Sequence, residues 1–396
     1  MGATLTTVSA ITKEVYGPRI VDQLENETVL TKRMEKTSRG TSADIGGKYV
    51  TFPLKVRRNA GIGYRNELEQ LQAAGQQGWQ TVRTGLKYGY GRVHISGQTV
   101  KLVKTNKQAF AAAMTEEMTG LKDDVAKDTN RILWGNGLGV LGTVDTAVTS
   151  NTISLGTNDE AVKWIDMDMQ IDICAANGTV KASNRKVTAI NEATGDITFD
   201  GAAQAVVIGD IVTRTGNYGR EPKGMASLVE DTTSVLFNLD PAVEPTWKGN
   251  IDALNGVISE SRMVRMCDTL RKKGGRPSAI FADLGSRTAY FNLLTTQRRF
   301  TGTKDFGGGF TGMAFSYDED IPLVTDVDAP AGKMWFLREQ DFTLYQESDW
   351  DWEDTDGNIW KWVTNYDAFE ALLKKYWEFA IERRNTQGVI TGITAG

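Results

Sequence analysis

The stretch QLQAAGQQGWQTVRTGLKYGYGRVHISGQTVKLVKTNKQ, residues 70–108, decides how this chain is interpreted. Residues 70–115 contain no Asp or Glu but six Lys or Arg. The stretch is polar, interspersed with glycine and rich in residues that favour β-strands, and it contains no catalytic motif. A long two-stranded ribbon of this kind cannot bury its own faces and is only marginally stable alone in water. We therefore predict that it lies on another molecule, most simply a second copy of the same chain.

The segment before this stretch predicts the other half of a hairpin. Residues 48–56, KYVTFPLKV, alternate between apolar and polar side chains, which indicates a strand, and Pro53 restricts that strand to a sheet edge. Residues 79–103 are predicted to return as the second strand, with an irregular tip between the two. Together they predict one elongated hairpin that a partner keeps in order.

The rest of the chain predicts an α+β protein. An apolar stripe over residues 106–134 indicates a helix about 43 Å long, with Thr105 as N-cap and Gly135 and Gly137 as its end. Short strands and turns over 148–216 predict a small β-barrel or sandwich inserted into the chain path. Further elements are predicted as helices at 18–30, 247–273, 286–297 and 366–379 and as strands at 278–282, 321–327, 333–347 and 379–393.

Four tryptophans fall within thirteen residues of the C-terminal region. A three-residue loop at 355–357, with Gly357 in the left-handed position, would make a bulged hairpin. In that register Trp352 faces Trp360 and Trp350 faces Trp362. Cross-strand aromatic pairs of this kind stabilise a ribbon by roughly 0.2–1 kcal/mol each.

The bulk composition indicates a folded protein of two or more domains. The chain has 396 residues, 40% hydrophobic and 24% charged, with no apolar run long enough to cross a bilayer and no secretory signal at its start. Cys174 and Cys267 are predicted to be buried, reduced thiols. We therefore expect a protein of the cytoplasm, not a membrane or secreted protein.

The net charge of −5 is unevenly distributed. Residues 1–110 hold 17 Lys/Arg and 8 Asp/Glu, which gives +9, and the remainder holds 28 and 42, which gives −14. Head-to-tail assembly would use such complementary surfaces to steer docking. Contact of the basic quarter with nucleic acid and a chance distribution are the two alternatives.

No grouping of residues predicts catalysis or cofactor binding. His94, the one histidine, lies in the predicted ribbon and is interpreted as a surface or interface residue. The motif Gly137-Leu-Gly139-Val-Leu-Gly142 follows a helix instead of a strand, so it does not fit a dinucleotide site. The acidic run 349–357 lacks the first and last ligands of a calcium loop, which leaves a solvated hairpin tip or a weak, assembly-dependent cation site. We expect no enzyme, no cofactor and no metal.

The order of these parts resembles the major capsid protein of tailed bacteriophages, the Hong Kong 97-like fold. The segments that carry the resemblance are TKEVYGPRIVDQLENETVLTKRMEKTS as an N-arm, KYVTFPLKVRRNAGIGYRNELEQ with its return strand as an E-loop, the helix after Thr105 as a spine helix, and RPSAIFADLGSRTAYFNLLTTQ with the two later strands as an axial domain. The resemblance implies the following domains: N-terminal arm 1–47, E-loop hairpin 48–104, spine helix of the peripheral domain 105–147, inserted β-domain 148–216, axial domain 217–346, and return strands and helix of the peripheral domain 347–396.

The resemblance implies a structural function. It predicts self-assembly through hexamers and pentamers into an icosahedral virion shell around double-stranded DNA, made in the bacterial host cytoplasm, with separate scaffolding, portal and decoration proteins as further partners. An encapsulin-like nanocompartment shell is the alternative with the same fold, and a carbohydrate-binding or carbohydrate-processing protein that uses the Trp-rich hairpin is the alternative from another class. Because the chain starts directly at the arm, we expect no N-terminal scaffolding region and no maturation cut.

The expected intersubunit contacts are basic. Five residues of the hairpin are predicted to pair with acids on adjacent copies, namely Arg57, Arg58, Arg65, Arg83 and Lys87. No cross-link between lysine and asparagine is assigned, although Lys55, Asn59 and Asn66 are neighbours in sequence.

Overall fold

The computed structural model describes residues 28–37, 49–98, 107–156, 159–296, 304–305, 311–354 and 359–394. The helices are α1 (Val29–Thr37), α2 (Lys107–Trp134), α3 (Glu260–Lys272) and α4 (Leu284–Thr296). The strands of the first half are β1 (Val50–Arg57), β2 (Gly78–Thr84), β3 (Lys87–Ser96), β4 (Val140–Thr143), β5 (Val148–Ser150), β6 (Thr152–Ser154), β7 (Gln170–Cys174), β8 (Val180–Asn191), β9 (Asp196–Phe199), β10 (Gln204–Val206) and β11 (Ile211–Arg214). Those of the second half are β12 (Asn250–Gly256), β13 (Ala279–Ala282), β14 (Lys304–Asp305), β15 (Thr311–Gly312), β16 (Ala314–Ser316), β17 (Asp320–Thr325), β18 (Lys333–Leu337), β19 (Phe342–Gln346), β20 (Asp351–Trp352), β21 (Lys361–Trp362), β22 (Ala368–Ile381) and β23 (Gly388–Ile393). The predicted α+β class is confirmed.

A mixed six-stranded sheet, in the order β12-β23-β18-β13-β17-β16, separates two apolar cores. Strand β13 is buried along its whole length, because alternate side chains enter opposite cores. Phe281 points into the core shared with α1 and the end of α2, whereas Ile280 points into the core covered by α3 and α4. The buried strand predicted at 278–282 and the helix predicted at 286–297 are therefore confirmed to within two residues.

A second sheet is built around the long strand β22. Strand β3 pairs with it along one edge, and β19, β20 and β21 follow one another along the other edge. The helix predicted at 366–379 is therefore wrong. Its sequence, AFEALLKKYWEFAI, favours a helix locally, but partners on both edges satisfy the extended backbone and bury Trp377 and Phe379.

The predicted spine helix is confirmed as α2, and it connects the two sheets. Its last residue, Trp134, packs against Trp335 with ring centroids 5.7 Å apart. The Gly135 N–H closes the helix by donating to the Arg131 and Ile132 carbonyls, and Gly137 takes a φ of 77°. The proposed N-cap, Thr105, and most of the helix predicted at 18–30 lie outside the described residues.

The helix predicted at 247–273 is correct only in its second half. Residues 250–256 form β12, which pairs in parallel with β23, and α3 begins at Glu260. Asn250 anchors the strand, since its side-chain amide donates to the Asn385 and Gln387 carbonyls. These partners lie more than 130 positions away, so the local apolar spacing did not reveal the strand.

Residues 140–214, from β4 to β11, form a unit with its own core, which we call the β-module. Its six-stranded sheet has the order β4-β11-β7-β8-β9-β6, and β5 pairs with β10. The core is made of residues of the module alone, with Ile171, Ile173 and Val212 fully buried. The chain enters on β4 and leaves on the adjacent antiparallel strand β11, so the module starts eight residues before the predicted boundary at 148.

An ion-pair network that is buried at Arg131 and Glu221 reaches the β-module through the half-exposed Arg214. Arg131 donates to Glu221 at 2.5 Å and to Asp128 at 2.8 Å, and Arg214 contacts Asp128 at 3.2 Å. Burial alone would raise the pKa of Asp128, but the two guanidinium groups hold it below its usual value. The network fixes the exit of the module against the end of α2.

Candidate assembly surface

Strands β1 and β2 form the antiparallel hairpin that the sequence predicts, in a register that pairs Val50 with Thr84 and Lys55 with Trp79. The base is anchored, because Val82 is fully buried in the central core and Phe52 stacks against Tyr345 at 6.4 Å. The return segment is not one strand. It breaks after Thr84, and β3 leaves the hairpin to pair with β22. The hairpin is therefore shorter than predicted, and the later half of the basic stretch belongs to the body of the protein.

The tip of the hairpin, residues 58–77, has no buried residue. Its bulky apolar side chains are open to solvent, with fractional exposures of 80% for Ile62, 97% for Tyr64, 101% for Leu68 and 85% for Leu71. An exposed set of this size in one segment is typical of an interaction site. The tip is thus the part of the described structure that most clearly requires a partner.

Polar contacts within the tip give it shape without a core. Asn59 bridges its two sides, since its amide donates to the Gly75 carbonyl at 2.9 Å and its oxygen accepts the Gly61 N–H at 2.7 Å. Near the far end, the Glu69 carboxylate accepts the backbone N–H and the side-chain amide of Asn66. These bonds lower the pKa of Glu69. The shape is set by hydrogen bonds that are exposed or only partly buried.

The five basic residues predicted to contact other copies fall into two groups. Arg58 and Arg65 lie exposed in the tip. The others have contacts within their own chain: Arg57 donates to Glu244 at 2.5 Å, Arg83 lies over the Tyr49 ring at 3.5 Å, and Lys87 donates to the Gly219 carbonyl at 3.0 Å. Sequence reasoning missed Glu244, a buried acceptor on a loop 187 positions away.

The predicted tryptophan hairpin does not have the expected backbone register. Trp352 lies opposite Leu373, and Trp362 lies opposite Phe369, so both short strands pair with β22 instead of with each other. The Trp362 and Phe369 rings meet edge to face at 5.1 Å. The Trp350 indole N–H donates to the Thr129 hydroxyl of the spine helix at 3.3 Å. Trp360 directly precedes β21. Residues 355–358, which include the predicted turn glycine Gly357, lie outside the described residues. The two tryptophan strands pair with β22 in place of each other, and the sequence did not reveal this alternative partner.

A cavity of about 950 Å³ lies where the hairpin base, the spine helix and the exit of the β-module meet. Glu378 is buried in its wall and accepts the Lys223 and Phe379 backbone N–H groups at 2.7 and 3.2 Å. Burial raises the pKa of Glu378 to about 7, although these bonds and the nearby Lys87 favour the charged form. The carboxyl group therefore changes charge close to neutral pH.

The described residues offer little to reaction chemistry. They contain no group of three or more His, Cys, Asp or Glu that could hold a metal ion. His94 is exposed on β3 opposite Glu370, as the surface interpretation predicted. Gly137 and Gly139 have positive φ and precede β4, so the glycine motif is a turn, and both cysteines are free and buried. No helix of the described part is long and apolar enough to span a bilayer.

Comparison with family models and with curated proteins gives no significant match to the sequence. Solved structures do match. The capsid protein of cyanophage A-1(L) superposes with a TM-score of 0.61 at 13% identity, covering 99% of this chain and 100% of the other. The capsid protein of an empty GTA particle gives a TM-score of 0.55 at 8% identity, with 99% of each chain covered.

An encapsulin also superposes on the chain. The SrpI encapsulin of Synechococcus elongatus PCC 7942 gives a TM-score of 0.52 at 7% identity, covering 100% of this chain and 97% of the other. At these identities the likeness concerns the fold. The chain therefore has the fold of tailed-phage capsid proteins, and the resemblance seen in the order of its segments is confirmed at that level.

Proposed function

We propose that this chain is the major capsid protein of a tailed phage, with a structural and non-catalytic role. Its copies would assemble, through hexamers and pentamers, into an icosahedral shell that encloses double-stranded DNA, after synthesis in the bacterial cytoplasm. The observation that carries the proposal is the capsid fold over 99% of the chain combined with a hairpin whose tip buries nothing of its own. A monomer would gain nothing from such a tip.

The physical basis of assembly would be the hairpin and the charge distribution. Burying the apolar side chains of the tip on a neighbour contributes about 25 cal/mol per Å² of apolar surface removed from water. Arg58 and Arg65 add long-range attraction to the acidic remainder of another copy. Arg57, Arg83 and Lys87 would act mainly by holding the hairpin base in position, because they already have contacts within the chain. Many weak contacts then add up over a closed shell.

The β-module would be an insertion carried by the body of the capsid fold. Its separate core and its adjacent entry and exit strands support this assignment. The domain scheme keeps an N-arm, an E-loop, a peripheral domain with the spine helix and an axial domain, with the insertion moved to 140–214. Scaffolding, portal and decoration proteins would be further partners, and DNA would be contacted without sequence specificity.

The second candidate is a nanocompartment shell that holds protein cargo. The superposition on an encapsulin over the full chain supports this candidate at the level of the fold. The two functions share their assembly and differ in their contents. Nucleic acid inside the particle indicates the phage function, whereas a co-purifying enzyme indicates the compartment.

The test is expression of the chain in bacteria, with and without candidate scaffolding proteins, followed by gradient sedimentation and electron microscopy. We expect closed particles of megadalton mass. Analysis of nuclease-resistant nucleic acid in particles from phage-infected cells then separates the two contents. A chain that stays at 43.5 kDa under all of these conditions would contradict both functions.

A further inference from the structure

A basic cleft of about 330 Å³ lies beside the hairpin base, between β1 and the turn that follows β22. Six cationic side chains line it against the single acid Glu382, and they are Lys55, Arg57, Arg58, Lys273, Arg383 and Arg384. The resulting balance of +5 in so small a volume is strongly one-sided, whereas the larger cavity around Glu378 has five cations against three acids. We call this site the basic cleft.

Three of the six cations of the basic cleft are held by neutral oxygens. Arg384 is 1% exposed and donates to the Leu228 and Ser227 carbonyls at 2.7 and 3.0 Å. Arg383 donates to the Gly274 carbonyl at 3.4 Å, and the Lys273 ammonium donates to the Asn250 amide oxygen. Arg57 pairs instead with Glu244. A fixed cation without a nearby anion is unfavourable in a partly desolvated site.

The pKa values of two of these groups agree with the geometry. Burial lowers the pKa of Arg384 to about 10, with only partial compensation from Asp231, and partial burial lowers the pKa of Lys273. A cation beside a well-placed carboxylate would move in the opposite direction. The basic cleft is therefore an incomplete electrostatic site that an external anion would complete.

The complementary surface is on the same chain but far from the cleft. Residues 347–354, ESDWDWED, hold five acids and no Lys or Arg, and we call them the acidic segment. Asp349 pairs with Lys375 and Glu353 with Lys374. Glu347, Asp351 and Asp354 make no ion pair within the described residues, and all three are exposed. The segment therefore keeps a surplus of negative charge.

The fold prevents the two surfaces from meeting within one copy. Asp351 lies opposite Lys374 on β22, whereas the cleft residues 382–385 follow the end of that strand at Ile381. Seven residues of strand at about 3.3 Å each separate these points by roughly 23 Å. That distance is well beyond the Debye length of about 8 Å at physiological salt. Only a second copy can bring an acidic segment to the basic cleft.

We infer that the basic cleft of one copy receives the acidic segment of a second copy, so that the middle of β22 in one copy and the C-terminal end of β22 in the other carry the two halves of a head-to-tail contact. The inference rests on the proposed shell function and names one of its contacts. Complementary patches at two different places on one copy make a heterologous interface, which forms a ring when the rotation between copies closes. The contact brings the base of one hairpin against the C-terminal sheet of the next copy.

The test is a reciprocal charge exchange in the full chain. Lys273→Glu with Arg383→Glu reverses two charges of the cleft, lowers its balance from +5 to +1 and leaves the buried Arg384 in place, and Asp351→Lys with Asp354→Lys reverses two charges of the acidic segment. Each double variant should lower the yield of particles about tenfold or more, because like charges then face each other. The quadruple variant should recover most of the yield. Arg265→Glu with Lys272→Glu, on the exposed face of α3 outside the cleft, is the matched control and should assemble normally.

Sedimentation velocity at low and high salt gives the readout, and thermal melting of unassembled protein verifies folding. Normal particles from both double variants would overturn the inference and leave the shell function standing. A loss that the quadruple variant does not repair, with less nucleic acid in the particles, would assign the cleft to nucleic acid instead. Small oligomers that are lost in the double variants and restored in the quadruple variant, without any closed shell, would support the contact and contradict the shell function. A monomer at low salt would overturn both.

Discussion

The hairpin and the β-module both extend from the body of the protein, but only the module is complete by itself. The module encloses fourteen buried apolar residues in a core of its own, and Arg214 at its exit joins the ion pairs at the end of α2. The hairpin has two strands, a tip without a buried residue and a junction held by Arg57 and Glu244. The difference teaches that one extension is stabilised from within, whereas the other depends on what it contacts.

Of the substitutions that test this comparison, Arg131→Met should cause the largest loss in the free energy of unfolding. It removes the guanidinium that lies between Glu221 and Asp128, and it leaves the buried Glu221 with the neutral Asn217 amide and Asp128 with the half-exposed Arg214. We expect a loss of about 3–5 kcal/mol in the free energy of unfolding. Urea unfolding followed by circular dichroism measures it. A loss below about 1 kcal/mol would mean that the module is attached by packing and not by this network.

Two isoleucines provide a matched test of the interiors. Ile171 in the module is fully buried, and Ile62 in the tip is 80% exposed. Ile171→Ala should cost about 2–5 kcal/mol through the lost apolar contact and the cavity, whereas Ile62→Ala should change the stability of the unassembled chain by less than about 0.5 kcal/mol. Hydrogen exchange of β7 and β8 locates the first effect. Equal losses would contradict the claim that the tip lacks a core.

A substitution at Glu378 tests the cavity between the hairpin base and the exit of the β-module. The Glu378 pKa of about 7 in the fold lies above the ordinary value of 4.5, so the fold favours the protonated form. This contribution to stability is present below pH 4.5 and is lost as the pH rises to 7, by roughly 3 kcal/mol in total. Glu378→Gln should therefore match the native chain at pH 5 and be more stable at pH 8. Parallel stability curves from pH 5 to 8 would show that the group is not buried as described.

Arg57→Met should destabilise the fold less than Arg131→Met or Ile171→Ala. The Glu244 side chain is 4% exposed and keeps only the weaker contact from Gln80 at 3.3 Å. We expect a loss of about 1–3 kcal/mol, which is confined to the hairpin base. Protease cleavage within 58–77 should become faster. Arg58→Met, at the exposed neighbour, is the control and should leave the cleavage rate unchanged.

Elements with local causes were predictable from the sequence. The stripe that defines α2, the glycines at 135 and 137 and the alternation in β1 depend on residues a few positions apart, and the structure places them as expected. Elements with distant causes were not. Strand β22 has good helix formers but is held by β3, about 280 positions away, and β12 is held by β23. The register around the tryptophans was wrong for the same reason.

The positive charge of the candidate assembly surface was predictable from the sequence, but the intrachain partners of its residues were not. The acid-free stretch correctly indicated an exposed hairpin strand, because β2 is largely polar and exposed apart from Val82 and Thr84 at its base. The intrachain partners of Arg57 and Lys87 lie on loops more than 130 positions away, so no spacing pointed to them. The stretch also serves two elements, since its second strand, β3, is part of the body.

Hydrogen–deuterium exchange of residues 58–77 in unassembled protein and in purified particles tests the central claim most directly. The hairpin tip should exchange rapidly before assembly and become strongly protected in the particle, while the β-module core, including Ile171, should be protected equally in both. A tip that exchanges at the same rate in both forms would show that it does not lie on a neighbouring copy.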